Sequence, residues 1–131
     1  MWALDGMLVL DFTQQMAGPF CTMLLGDMGA DVIKVEKPEG DDIRRAGPPF
    51  INGESAAFLS INRNKRSLVL DLKKPEAVDV IRHMTKKADV LVQNMRPGIM
   101  TRLGLGYEDL SEINPALVYC SISGFGSTGP Y

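Results

Sequence analysis

The chain alternates short apolar runs with segments in which apolar residues recur every three or four positions. Apolar runs at residues 7–12 and 32–35 are typical of strands that are buried on both faces of a sheet. Between them, Pro19 suits the first position of a helix and Gly29 suits its left-handed end. A strand, a helix and a strand within about thirty residues predict a βαβ unit, with parallel strands and ligands at their carboxyl ends.

The same alternation continues along the chain. It predicts, in order, a third strand at residues 67–72, an amphipathic helix from Pro75, a fourth strand at 90–92, short helices after Gly98 and at 107–113, and a fifth strand at 117–122. The helix from Pro75 has one apolar face, which consists of Ala77, Val78, Ile81, Met84 and Ala88. The predicted fold class is therefore α/β, a doubly wound and mainly parallel sheet with helices on both faces.

Residues 38–54 interrupt this pattern. They combine several glycines and prolines with charged side chains, and such a segment cannot propagate a strand. We expect an excursion from the sheet, and long loops of this kind are often lids or partner contacts.

The fifth strand leads into a glycine-rich segment at 124–130. Gly124, Gly126 and Gly129 match the GxGxxG pattern, but no helix follows them. In dinucleotide-binding folds this pattern belongs to the first strand-to-helix turn, which here is residues 13–18 with a single glycine. Glu36 could still bind a ribose hydroxyl, so a nicotinamide-binding module remains an alternative. Nothing in the sequence is predicted to pack beneath this glycine-rich turn. We therefore expect the chain to be the front part of a larger protein, with its domain incomplete, and the alternative is that the turn is a free tail.

Length, charge and cysteine content narrow the class of protein. We expect one domain over residues 1–131 and no second domain. A net charge of −2 gives no support for binding nucleic acid or an anionic membrane. No apolar run reaches the roughly eighteen residues that a membrane helix needs, and Cys21 and Cys120 stand far apart. We therefore expect a cytoplasmic protein whose cysteines are small buried hydrophobes.

Hydrolytic and metal chemistry find little support in the sequence. His83 is the single histidine and lies inside a predicted helix, where we expect it to be solvated or at a boundary. The patterns GxSxG and GxxxxGK are absent, and no group of His, Cys and acidic residues has metal-ligand spacing. We expect neither a metal ion nor a catalytic triad.

Basic and amide side chains recur at the ends of the predicted strands. Lys37 follows the second strand, Asn94 and Arg96 follow the fourth, and Arg102 lies further along. A second group precedes the third strand and consists of Arg63, Lys65 and Arg66. A ligand with several phosphates would need such donors on one rim of the sheet, whereas the alternative is solvated surface charge.

A set of motifs runs in a fixed order over nearly the whole chain. They are LDFT at 10–13, AGP at 17–19, LGDMGADVIKVE at 25–36, NRNKRS at 62–67, ADVLVQN at 88–94, RPG at 96–98, LG at 103–104, and GFG with GP at 124–130. These motifs resemble the N-terminal part of the class III CoA-transferases. This CaiB/BaiF group includes formyl-CoA, carnitine and succinate-glutarate CoA-transferases and α-methylacyl-CoA racemase.

The resemblance implies a Rossmann-like large domain that binds coenzyme A, and a homodimer of interlocked subunits. It also implies transfer of CoA from an acyl-CoA to a small carboxylic acid. In that chemistry an aspartate forms a mixed anhydride and then an aspartyl-CoA thioester, which divides one difficult exchange into easier steps. By the family pattern the aspartate would lie beyond Tyr131, and neither Asp11 nor Asp71 matches it.

The resemblance also implies which residues contact coenzyme A. Matched position by position to the formyl-CoA transferase pattern, they are Gln15, Met16, Lys37, Leu70, Asn94, Met95, Arg102 and Leu103. Met16 replaces a glutamine of the oxalate enzyme, which argues against oxalate as the acceptor acid. Lys37 replaces an arginine, so a phosphate there would meet a point charge instead of a planar fork.

Three functions are therefore compatible with the sequence. The first is an acyl-CoA:carboxylate CoA-transferase of which this chain is the front portion without the catalytic aspartate. The second is a racemase of the same family, whose histidine and acid would also follow the glycine-rich loop. The third, from another class, is a noncatalytic or nicotinamide-binding nucleotide module.

Overall fold

The computed structural model describes residues 1–126 and 128–130, so Ser127 in the glycine-rich segment and Tyr131 lie outside the described residues. The elements in chain order are β1 (Leu8–Phe12), α1 (Ala17–Asp27), β2 (Asp31–Glu36), a 3-10 helix (Asp42–Arg45), β3 (Phe50–Ile51), β4 (Glu54–Ser55), α2 (Ala56–Ile61), β5 (Lys65–Val69), α3 (Pro75–Thr85), β6 (Val90–Gln93), α4 (Ile99–Arg102), α5 (Tyr107–Ile113) and β7 (Val118–Ser121).

The described residues form a five-stranded parallel sheet with the order β5-β2-β1-β6-β7. The chain moves outward from β1 through β2 to β5, then returns to the other side of β1 for β6 and β7. This is the strand order of the Rossmann fold, and it confirms the predicted doubly wound α/β class. The change of direction creates a crevice outside the carboxyl ends of β1 and β6, where ligands of such sheets bind.

Helices cover both faces of the sheet because alternate residues of β1 point to opposite sides. Leu10 and Phe12 pack in a cluster with Ile81 of α3 and Leu110 of α5. Val9 belongs to a second cluster, against which Leu25 of α1 packs. The predicted apolar face of α3 is confirmed, since Ala77, Ile81 and Ala88 are buried, and Val78 and Met84 are partly buried.

Several boundaries differ from the sequence prediction. Strand β5 begins at Lys65 and ends at Val69, so the prediction of 67–72 was too late in the chain. Helix α1 begins at Ala17, two residues before Pro19. Helix α2 was missed, although Ser55 caps it by accepting a hydrogen bond from the Phe58 amide. Cys21 and Cys120 are half-buried free thiols, so the prediction of full burial was wrong.

The predicted excursion at 38–54 leaves the main sheet as expected. It contains the 3-10 helix and the two-stranded β3-β4 hairpin. Ile43 of the 3-10 helix anchors the excursion, because its side chain is buried against Met23, Phe58 and Ile61. Across the described residues no helix is long and apolar enough to cross a membrane.

Candidate functional site

The turn at residues 13–16 lies at the carboxyl end of β1, beside the crevice. Helix α1 rests directly on this turn: a Cβ atom added to Gly18 would come within 2.3 Å of the Thr13 Cβ atom. Glycine is therefore required at residue 18 for the helix to approach so closely. Gln15 adopts a left-handed backbone, with a φ angle of 67°.

Asp11, at the end of β1, fixes the first residue of the turn. Its side chain is fully buried and accepts hydrogen bonds from the Thr13 amide (2.9 Å), the Thr13 hydroxyl and the Thr22 hydroxyl (2.7 Å). Lys65 Nζ also bonds to it at 2.9 Å. A carboxylate that is closed to solvent and bonded to four donors holds structure and cannot attack a substrate.

A cleft of about 280 Å³ opens at the carboxyl ends of β1, β2 and β5. It brings together four of the eight residues predicted to contact coenzyme A, namely Lys37, Leu70, Met95 and Leu103. Phe12 and Val35 add further apolar surface, and Lys37 supplies a cation at the edge. Apolar walls with a few polar groups are typical of small-molecule sites.

A second cleft, of about 420 Å³, adjoins the first. The two share Leu72, Lys73 and Leu103, and Arg102 lines the second. Lys37, Lys73 and Arg102 therefore lie along one continuous rim. Sequence reasoning missed Lys73, although its place four residues after β5 could have indicated it.

The cations of this rim are available to a ligand. Lys37 Nζ pairs with Asp42 Oδ1 at 2.9 Å, but both side chains are more than 40% exposed, so the pair is held weakly and an anionic ligand can displace it. Lys73 and Arg102 are exposed.

The other predicted contacts lie on the turn and beside it. Gln15 and Met16 are exposed on the turn and line neither cleft. The side chain of Asn94 bonds to the main chain of Gln14, accepting from its amide and donating to its carbonyl, each at 2.8 Å. The side-chain carboxamide of Asn94, which was predicted to contact the coenzyme, therefore holds the main chain of the turn.

The cations at the start of β5 do not join the rim: Arg63 precedes this strand, and Lys65 and Arg66 are its first two residues. In a parallel sheet, residues that precede a strand lie at the opposite edge from residues that follow one. Arg63 pairs with Asp27, Arg66 with Asp31, and Lys65 with the buried Asp11. The prediction that Arg63, Lys65 and Arg66 share one edge with Lys37 and Asn94 was therefore wrong.

The carboxyl group of Glu36 and the thiol of Cys21 have shifted pKa values. Burial alone would raise the pKa of Glu36, but hydrogen bonds from Arg44, the Asp41 amide and Ser67 outweigh it and lower the pKa to about 2. Burial raises the pKa of the Cys21 thiol, and nearby Cys120 adds to this effect. Cys21 is thus the opposite of an activated nucleophile.

Metal chemistry has no support in the geometry that is described. Within residues 1–126 and 128–130, no three His, Cys, Asp or Glu side chains converge on a point that could hold a metal ion. His83 is exposed on α3, as the sequence predicted.

Known proteins are similar to this chain in sequence and in fold. Residues 4–131 match the family model for CoA-transferase family III. The succinyl-CoA:glutarate CoA-transferase of Mus musculus is 52% identical over 128 residues, which are 97% of this chain and 29% of the mouse protein. The acetyl-CoA:oxalate CoA-transferase of Acetobacter aceti is 50% identical over 127 residues, which are 96% of this chain and 32% of that protein.

The fold has a solved counterpart as well. The crystal structure of a CaiB/BaiF family protein from Brucella suis superposes with a TM-score of 0.95 and 48% identity, over 99% of this chain and 35% of that one. The chain thus spans about a third of the length of the proteins that it matches. Because the family model covers nearly every residue, the chain belongs to CoA-transferase family III.

Proposed function

We propose that this chain binds the coenzyme A portion of an acyl-CoA for an acyl-CoA:carboxylate CoA-transferase. The observation that carries the proposal is the cleft at the carboxyl ends of β1, β2 and β5. Lys37, Leu70, Met95 and Leu103 are distant in sequence, yet they line this one cavity. An apolar cavity beside a row of cations suits a ligand with an aromatic base and several phosphates.

Each part of coenzyme A has a matching surface in this proposal. The adenine ring would lie in the cleft against Leu70 and Leu103, and the phosphates would meet Lys37, Lys73 and Arg102 along the rim. Lysine and arginine bind phosphate through charge-assisted hydrogen bonds, which are the strongest that side chains form. Gln15 and Met16, on the turn beside the crevice, would face the thiol-bearing end.

The exchange reaction is proposed for the whole protein. The acyl-CoA and a small carboxylic acid would be its substrates, and an aspartyl-CoA thioester its intermediate, with the aspartate supplied after residue 131. For the 131-residue chain assayed with succinyl-CoA and a panel of dicarboxylates, we expect binding without CoA exchange. Clear turnover would contradict the assignment of the nucleophile to that later segment.

We also propose a homodimer in a reducing, cytoplasmic setting. Helix α1 and its flanking residues carry an apolar stripe of four residues, each 39–57% exposed: Met16, Phe20, Leu24 and Met28. Exposed apolar surface of this kind is typical of protein interfaces. The free thiols of Cys21 and Cys120 support a reducing compartment.

Calorimetric titration tests the binding function directly. We expect CoA to bind more tightly than dephospho-CoA, which lacks one phosphate, and more tightly than NADH. Similar affinities for CoA and dephospho-CoA would remove the rim cations from the site. Tighter binding of NADH than of CoA would overturn the proposal in favour of a nicotinamide-binding module.

A further inference from the structure

The turn at residues 13–15 is held by side chains from several separate elements. Asp11 binds the Thr13 amide and Asn94 binds both the amide and the carbonyl of Gln14. Two of the main-chain groups that remain are the carbonyl of Thr13 and the amide of Gln15. Both are bound by a pair of buried charged residues that the proposed function does not use.

Lys34 is the first member of this pair. It lies on β2 opposite Asp11, and only 2% of its side chain is exposed. Its Nζ atom donates to the Thr13 carbonyl at 2.8 Å and to Asp41 Oδ2 at 3.0 Å. A lysine charge removed from water in this way is stable only when such partners surround it.

Asp41 is the second member, and its side chain is 1% exposed. While Oδ2 bonds to Lys34, Oδ1 accepts from the Gln15 amide at 3.3 Å and from the Ile43 amide at 3.2 Å. One carboxylate therefore joins the excursion at 38–54, strand β2 and the left-handed residue of the turn.

The Lys34–Asp41 pair differs from an ordinary stabilising contact because both of its charges are buried. Burying two charges costs free energy that their attraction often only balances, so a buried pair is weak support for stability. Fixed geometry is the better-supported gain, because both charges aim at main-chain groups of one strained turn. Holding a site in its bound conformation raises affinity by reducing the ordering that binding would otherwise require.

We propose that Lys34 and Asp41 are positioning residues, which hold the Thr13–Gln15 main chain in the conformation that binds coenzyme A. The proposal rests on the proposed function for its ligand. Neither side chain reaches the ligand, since both are closed to solvent. They act through the turn, and Gln15 and Met16 are the residues that they present.

The test replaces both charges at once, because a single change would leave the other charge buried alone. The double variant Lys34→Met with Asp41→Leu replaces both charged side chains with apolar ones and removes every bond of the pair to the turn. We expect the amide of Gln15 to exchange with solvent about tenfold faster and the affinity for CoA to fall about tenfold, while the amide of Leu91 in the core stays protected.

Two further variants separate positioning from general support. Lys34→Met with Asp41→Asn keeps an acceptor for the Gln15 amide and leaves no charge buried alone, so a smaller loss of affinity is expected. Ile43→Val loosens the excursion without touching the turn, so Gln15 exchange and CoA affinity should both match wild type.

Every outcome decides something. Wild-type Gln15 exchange and CoA affinity in Lys34→Met with Asp41→Leu would overturn the proposal. The proposal would also be overturned if Lys34→Met with Asp41→Leu fails to fold while Lys34→Met with Asp41→Asn matches wild type, because the pair would then support only the fold. If the wild-type chain does not bind CoA but Gln15 exchange rises as expected, the proposed function fails and the positioning role of the pair stands.

Discussion

The carboxamide of Asn94 and the main chain of Gln14 form a closed pair of hydrogen bonds, one in each direction and each 2.8 Å long. The pair joins the loop after β6 to the turn after β1, across the point where the sheet changes direction. Asn94 thereby satisfies the peptide groups of a turn that no strand or helix can satisfy. A side chain that was predicted to contact the ligand also braces the turn on which Gln15 and Met16 are proposed to face it.

Replacing Asn94 tests this brace. In Asn94→Ala both groups of Gln14 lose their partners, so we expect the free energy of unfolding to fall by about 1–3 kcal/mol and CoA affinity to fall about tenfold. Denaturant unfolding and calorimetry measure the two effects. Ser121→Ala, which removes only the exposed partner of Gln93, is the control and should change neither. An unaltered CoA affinity in Asn94→Ala would show that the brace does not shape the site.

Arg102 gives the sharpest test of the rim. Arg102→Ala removes one charged donor, and such a hydrogen bond contributes about 1.5–3 kcal/mol, or roughly ten- to a hundredfold in affinity for CoA. His83→Ala, on the exposed part of α3, should leave affinity unchanged. Calorimetry compares the two variants, and equal affinities for wild type and Arg102→Ala would exclude this residue from the site.

Adjacent lysines offer a matched comparison. Lys73 lines both clefts, whereas Lys74 lines neither of them. We expect Lys73→Ala to weaken CoA binding by up to about tenfold and to reduce its dependence on salt, because a phosphate contact is lost. Lys74→Ala should retain both properties. If CoA binds to the two variants with the same affinity and the same salt dependence, Lys73 is a solvated surface charge and not a phosphate contact.

Glu36 predicts how stability depends on pH. Its pKa of about 2 in the fold lies below its ordinary 4.5, so its stabilising contribution is complete above that ordinary value and is lost as pH falls towards 2. Denaturant unfolding at several pH values should show this decline. In Glu36→Gln that part of the pH dependence should disappear, while Glu39→Gln, an exposed change nearby, should keep it. A wild-type stability that is flat between pH 4.5 and 2 would contradict the prediction.

The apolar stripe on α1 predicts self-association. Phe20→Glu places a charge in the middle of the stripe, so we expect the chain to shift towards the monomer in sedimentation velocity. Val80→Glu changes an exposed apolar residue on α3 and should leave the distribution as it is in wild type. If wild type is already a compact monomer at high concentration, the stripe does not mediate association in this chain.

Local patterns predicted much of the fold. Helix α5 at 107–113 matches its prediction, and α3 begins at Pro75, because capping and helical periodicity are read from neighbouring residues. Helix α2 was not predicted because its six residues are too few to show a helical periodicity. Lys37, Leu70, Met95 and Leu103 were predicted from the family resemblance to contact coenzyme A; the structure places all four along one cleft, and their contact with the coenzyme stays a prediction.

The burial of Lys34 could not be predicted in the same way. Within a strand, a lysine between apolar neighbours normally indicates a solvent-facing position. Its environment depends on Asp41, seven residues away, and on a carbonyl 21 residues away. Contacts between residues so far apart in sequence depend on tertiary packing, and a local sequence pattern carries no information about them.

The sequence distance between Gln14 and Asn94 also sets an order of events during folding. The two residues are 80 positions apart, and the side chain of Asn94 bonds to both main-chain groups of Gln14. The main chain of Gln14 therefore gains these two bonds only once β6 has docked beside β1, and such long-range closure is slow. During synthesis, a nascent chain that has not yet exposed Asn94 would carry every residue of the turn and still lack the two bonds that fix Gln14.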